Sequence, residues 1–103
     1  MLTSKQRAYL RSLATTEDTI IHIGKGGVTE NIVRQADDAL RARELIKGRV
    51  LENSLLSAAE GCQALAEACQ AEQVQVIGSR FVLYRRNKQQ PKIELPKAEK
   101  KPV

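Results

Sequence analysis

At 103 residues and 42% hydrophobic content, the chain has room for one modest core plus a tail. No apolar run approaches the ~18–20 residues of a membrane span, and the first residues, Met1-Leu2-Thr3-Ser4-Lys5, lack a signal-peptide apolar stretch, so a cytoplasmic protein with no membrane partner is expected. The net charge of +5 points to an anionic partner, yet residues 1–85 hold 11 Lys+Arg against 10 Asp+Glu while residues 86–103 hold 6 against 2. Any nucleic-acid surface on the body must therefore arise by segregating charge.

In chain order, Leu2 to Ala14 reads as a helix. Thr3 and Gln6 have capping-box spacing, and Leu2 (or Gln6), Tyr9, Leu10 and Leu13 form the inward stripe. Lys5, Arg7 and Arg11 fall mostly off that stripe. Thr19–Ile23, with three isoleucines, is strand-like. Gly24-Lys25-Gly26-Gly27 follows, and Thr29 offers an N-cap for a helix to about Arg43, with Val28 and Val33 as a hydrophobic staple. That helix carries Arg34 and Arg41 on one face, partly offset by Asp37 and Asp38. Glu44–Leu51 reads as a second strand, in which Gly48 marks a bulge or a close approach.

Ser57-Ala58-Ala59-Glu60 is a second capping-box pattern, opening a helix to about Ala71. Gly61 costs that helix ~1 kcal/mol relative to Ala. Cys62 and Cys69 share its apolar stripe about 10 Å apart along the axis, too far for a disulfide, and read as small buried residues. Gln73–Ile77 alternates, with Val74 and Val76 on one side and Gln73 and Gln75 on the other. Gly78-Ser79 (or Ser79-Arg80) then turns into a return strand, Phe81–Arg85. Lys47 and Arg49, with Gln75 and Arg85, are candidates for a second polar surface on an open sheet face. The order α-β-α-β-α-β-β predicts an α/β domain over residues 1–86 with a mixed four-stranded sheet. Residues 87–103 form a basic tail containing Pro and Lys, partly mobile, that Ile93 and Leu95 could tether.

The glycine turn joins a strand to a helix and carries one cation, Lys25. Such a turn offers backbone N–H groups, a helix N-terminus and positive charge to a phosphate. Free nucleotides fit poorly: no Ser or Thr follows the lysine as a P-loop requires, and Thr29 stands where a dinucleotide fingerprint needs its third glycine. Gly24-Lys25-Gly26-Gly27 is instead a GxxG, the KH-type loop that clamps an RNA backbone; on the motif alone, a purely structural turn and a phosphate cradle stand equal. His22, the single histidine, has no ligand partner at metal spacing and reads as a plain strand residue. Catalytic motifs are absent, no cofactor or metal site is evident, and a non-enzymatic protein is expected. Scarce aromatics (Tyr9, Phe81, Tyr84) argue against base-stacking modules.

The chain as a whole resembles the CRM domain, the chloroplast RNA splicing and ribosome maturation module, and in particular its stand-alone bacterial YhbY-type members. The resemblance is carried by residues 2–11 (LTSKQRAYLR), by Ile23-Gly24-Lys25-Gly26-Gly27-Val28-Thr29, by Ala42-Arg43-Glu44-Leu45-Ile46-Lys47, and by Val76-Ile77-Gly78 with Val82-Leu83-Tyr84-Arg85. Gly48 departs from the family's usual apolar residue. The resemblance implies a fold similar to the C-terminal domain of translation initiation factor three, and RNA binding without catalysis. It further implies association with precursors of the large ribosomal subunit; a monomer is expected. It assigns the phosphate-holding role to Gly24, Lys25, Gly26 and Gly27, with Lys5, Arg7, Arg11 and Arg34 as flanking basic residues. Two alternatives are a general RNA chaperone without ribosome specificity and a protein-interaction module using the sheet face.

Overall fold

The computed structural model describes residues 2–96. Its elements are α1 (Ser4–Ala14), β1 (Thr19–Ile23), α2 (Glu30–Arg43), β2 (Leu45–Val50), α3 (Ala58–Cys69), β3 (Glu72–Ile77) and β4 (Arg80–Tyr84). The helix starts follow local chemistry. Thr3 caps α1 and Ser57 caps α3, each in a reciprocal capping box, and Thr29 Oγ1 accepts the Ile32 N–H at 3.3 Å to open α2. The helix α3 ends at Cys69, two residues short of the expected Ala71, because Gln70 turns left-handed at φ 55°.

The sheet order is β1-β2-β4-β3. β1 and β2 are parallel, joined by α2, while β4 lies antiparallel between β2 and β3. Ile77 pairs with Arg80 across the two-residue turn Gly78-Ser79, with Gly78 at φ 58°. Helices α2 and α3 cover one face, over Ile21, Ile23, Ile46, Val50, Phe81 and Leu83. α1 covers half of the other, where Leu10 and Ala14 pack with Leu45, Val74, Val82 and Tyr84. Tyr9, expected inward, is 39% exposed, and Ala14 takes the buried place instead.

Gly48 lies inside β2, opposite Phe81 of β4, and the reason is a close approach. A Cβ on Gly48 would sit 2.3 Å from Phe81 Cζ. The ring occupies the space a side chain would need, at the centre of the core. Gly61 likewise has a packing reason that its helix propensity hides. A Cβ there would lie 3.0 Å from Val50 Cγ2 and 3.1 Å from Ile23 Cδ1, so its absence lets α3 seat closely on the sheet.

Two expectations about side-chain direction are overturned. The register of β3 on β4 shifts between Gln73 and Gln75, so Val74 is buried while Val76 is 40% exposed on the opposite face. Arg85 points to the helical side, not to Lys47 and Arg49. Its Nη1 donates to Asp37 Oδ1 at 2.6 Å and to the Cys69 carbonyl at 2.9 Å. Cys62 and Cys69 are buried free thiols, and burial pushes the Cys62 thiol up to about 11.

Glu44 does not open the strand. It caps α2 at φ 66°, fully buried. Its carboxylate accepts the N–H groups of Asn87, Lys92 and Ile93, all at 2.6 Å. Ile93 and Leu95 pack beside the α1 core, and Gln6 Nε2 donates to the Pro96 carbonyl at 3.0 Å. Residues 87–96 are thus tied to the body; residues 97–103 of the predicted tail lie outside the described residues. Among the described residues no helix is long and apolar enough to cross a membrane.

Three outcomes follow from these contacts. Gly48→Ala should cost about 2–3 kcal/mol, the scale of core overpacking, and Gly48→Ala/Phe81→Leu should cost less than the two single losses summed; an unchanged urea midpoint for Gly48→Ala refutes the close-approach account. Glu44→Ala should release the Asn87, Lys92 and Ile93 amides to fast hydrogen exchange and lower stability by about 1–3 kcal/mol, whereas undiminished protection would show that the strap is held by other contacts. The Asp37 carboxyl is held below its ordinary 3.8 first by the Arg85 hydrogen bond, with burial opposing and the Arg85 and Arg41 charges assisting. The stability it contributes is therefore complete above that ordinary value and lost as pH falls through the lowered one. Acid titrations of wild type and Asp37→Asn should diverge in that window, and superimposable curves would rule the coupling out.

Candidate nucleic-acid interface

The glycine turn lies at the C-terminal end of β1. The Gly27 N–H donates to the Gly24 carbonyl at 3.0 Å, closing a tight turn with Lys25 and Gly26 at its tip, both exposed. The Thr29 N–H donates to the Gly27 carbonyl at 3.2 Å, and α2 starts one residue later. Among the described residues no hydrogen bond engages the N–H of Lys25 or Gly26. The turn thus presents two free donors, a lysine and the positive end of α2, which Glu30 in the first helical turn partly offsets.

The three glycines are not equally required by the fold. Gly27 sits at φ 71°, where any other residue is strained. Neither Gly24 nor Gly26 has a positive φ. A Cβ on Gly24 would meet Asn53 Oδ1 and Leu51 Cδ1 at 3.7 Å, and one on Gly26 would meet Thr29 Cγ2 at 3.4 Å, which are tolerable contacts. A steric explanation accounts for Gly27 alone.

The expected flanking cations are divided. Arg34 is exposed near the start of α2, on the loop's side of the molecule. Arg11 lies in the last turn of α1, on the opposite sheet face, beside Lys47 and Arg80. Lys5 and Arg7 belong to the first half of α1, which packs near Tyr84, Ile93 and Pro96 at the far end of the sheet. The structure brings Lys25 and Arg34 to one end and leaves Lys5 and Arg7 at the other. Arg41 is spent on Asp37 at 2.7 Å and Asp38 at 3.5 Å.

A second loop, residues 51–57, flanks the turn through Leu51 and Asn53 beside Gly24 and Leu56 beside Gly27. Leu55 in that loop is 94% exposed. The pair Leu55-Leu56 was its signal in sequence: one leucine serves the core, and the other has no fold-internal use.

The family model of the CRS1 / YhbY (CRM) domain matches residues 2–85. The Bacillus subtilis protein YqeI, named as a probable RNA-binding protein, is 44% identical over 96 residues, covering 93% of this chain and 100% of its own. A Haemophilus influenzae protein named as an RNA-binding protein is 33% identical, covering 93% and 96%. The solution structure of a Staphylococcus aureus protein described as a putative RNA-binding protein superposes with a TM-score of 0.78 at 53% identity, covering 93% of this chain and 100% of that one. None of these relatives is named as an enzyme. Matched over most of its length and aligned nearly end to end with its relatives, this chain belongs to the CRS1 / YhbY (CRM) domain family.

Proposed function

We propose that the protein is a cytoplasmic, monomeric RNA-binding protein, without catalytic activity, that acts in assembly of the large ribosomal subunit. In this proposal the turn Gly24–Gly27 holds an RNA backbone. The free N–H groups of Lys25 and Gly26 donate to phosphate oxygens, Lys25 supplies charge, and Arg34 extends the contact along α2. The names of the relatives support RNA as the ligand. The observation that carries the site is Gly26: it is exposed, its backbone lies outside the left-handed region, and the fold has room for a side chain there. A glycine that the fold does not need, at the tip of a cationic turn, is accounted for by a ligand that must come close to the main chain.

The division of the cations shapes the proposal. Arg34 acts with the turn, while Lys5, Arg7 and Arg11 contact other parts of a larger RNA. With a nearly neutral body, affinity depends on few phosphates, and the ribosomal role requires a target whose shape presents them together.

Lys25→Glu/Gly26→Asp should weaken binding to ribosomal RNA fragments about 10- to 100-fold, the loss of one or two charge-assisted contacts, with the melting curve unchanged. Reversal of Arg43, exposed at the far end of α2, serves as the control for bulk charge. A folded double variant that binds as tightly as wild type removes the cradle. In a gradient of cell extract the protein should co-migrate with large-subunit precursors, and sedimentation only as free protein removes the assembly role.

A further inference from the structure

The sheet face turned away from α2 and α3 carries a row of basic side chains, two of them arginines, that the glycine turn does not account for. In the strand register His22 of β1 pairs with Arg49 of β2, and Arg49 pairs with Arg80 of β4. All three are exposed. They point away from the core because their chain neighbours Ile21, Ile23, Val50 and Phe81 point into it. With strands about 4.8 Å apart, the row spans roughly 10 Å. α1 covers only the other half of this face, and where it ends Arg11 overhangs a groove of about 240 Å³ shared with Lys47, Gln75, Ile77 and Arg80.

Two ordinary explanations fail. Cations on a strand often protect a sheet edge, but β2 and β4 are the two central strands. Surface arginines are often half of an ion pair, yet among the described residues the ion pairs engage Arg41 and Arg85, and none engages Arg11, Lys47, Arg49 or Arg80. Lys47 Nζ reaches a backbone carbonyl, that of Glu17, at 3.5 Å. Of the carboxylates nearest in sequence, Glu44 is taken up by backbone amides, Glu17 and Asp18 lie in the loop before β1, and Glu52, in the loop after β2, lines a cleft with Arg49 without pairing with it. Positive charge is thus segregated on this face, as a body with 11 Lys+Arg against 10 Asp+Glu over residues 1–85 needs if it is to hold a polyanion.

The chemistry of the row selects the occupant. Guanidinium groups pair with phosphate in a bidentate fork, and guanidinium and imidazole planes also stack on unpaired bases. Ile77, 64% exposed and the register partner of Arg80, ends the row with an apolar surface for a base or ribose. The row begins at His22, two residues before Gly24, so the turn and the row adjoin at one end of the sheet. We infer that this end of the sheet is a second RNA-binding surface, over which a single strand held at Gly24–Gly27 continues across His22, Arg49 and Arg80. The inference rests on the RNA role of the turn and adds a second surface to it.

Arg49→Ala/Arg80→Ala removes two exposed, unpaired side chains, and its melting curve should match wild type. Two probes separate the surfaces: a tetranucleotide of uridine, the length a GxxG loop clamps, and an oligouridylate of about twelve nucleotides. The variant should bind the longer RNA about tenfold more weakly, and its slope of log K against log salt should be shallower by about 1.4, two single-strand phosphates' worth. Tetranucleotide binding should be unchanged. Unaltered affinity and slope for the longer RNA overturn the inference and leave the face to another partner, such as an acidic protein. Equal loss of both RNAs also overturns it, because the row would then be part of the turn's own site. If wild type binds neither RNA, the RNA role of the turn fails and this surface with it; Lys25→Glu/Gly26→Asp, losing both RNAs while Arg49→Ala/Arg80→Ala loses only the longer, is the pattern expected of two joined surfaces.

Discussion

The contact on which the rest of the molecule depends is the seating of Phe81 against Gly48. These residues face each other on the two central strands, and the ring fills the volume a Cβ would take, 2.3 Å from Phe81 Cζ. A strand alternates sides with period two, so fixing one pair fixes every other. With Phe81 inward, Ile46, Val50 and Leu83 must also meet α2 and α3, and Lys47, Arg49, Arg80 and Val82 must face the other way. A slip of one residue would bury two arginines and expose the core, at a cost no surface interaction offsets. The position of the cationic row is therefore a consequence of core packing.

Glu44 performs the corresponding task at the other end of the sheet. A buried carboxylate is costly unless its lone pairs are filled, and three backbone N–H groups of residues 87–93 fill them. The same residue stops α2 through its positive φ, one residue before β2 begins. One side chain thus joins a helix end, a strand start and the segment after β4. Arg85, at the end of β4, adds a second tie through Asp37 and the carbonyl of Cys69. The end of the sheet remote from the glycine turn is held by long-range polar contacts, while at the end bearing the turn Lys25, Arg34, Arg49 and Arg80 make no ion pair among the described residues.

What could be read from sequence was governed by short range. Thr3, Thr29 and Ser57 act on N–H groups three residues away, and Gly78-Ser79 joins adjacent strands, so local spacing sufficed to place three helix starts and a hairpin. The alternation in Gln73–Ile77 misled because a register shift against β4 inverts it after Val74, and nothing within five residues encodes a bulge set by a partner strand. Arg85 has the parity of Phe81 and Leu83, and the partners that hold it on the helical face, Asp37 and the Cys69 carbonyl, lie 48 and 16 residues away. Glu44 was invisible because its partners lie 43 to 49 residues away. Gly48 was marked as a close approach or a bulge, and only the sheet register names Phe81 as the cause. The glycine turn itself was legible, but which of its glycines the fold requires was not, since that depends on φ and on neighbouring loops.

Over residues 1–85 the basic and acidic groups nearly cancel, so non-specific attraction to RNA from the body is weak. Pairing removes much of what remains on α2, where Arg41 is neutralised by Asp37 and Asp38, and Arg85 is drawn inward by Asp37. Among the described residues, Lys25, Arg34, Arg49 and Arg80 at the end bearing the glycine turn make no ion pair, and Lys5, Arg7 and Arg43 are likewise unpaired away from it. An RNA that touches one of them gains little, and one whose shape reaches several gains in proportion to the phosphates it brings. On the proposed RNA role, discrimination resides in spacing, with Lys25 at the turn and the cross-strand row at distances fixed by the pairing of β1, β2 and β4. A protein with a large uniform excess of charge would bind many RNAs this well; one with a nearly neutral body and cations at fixed cross-strand spacing favours RNA whose phosphates match that spacing.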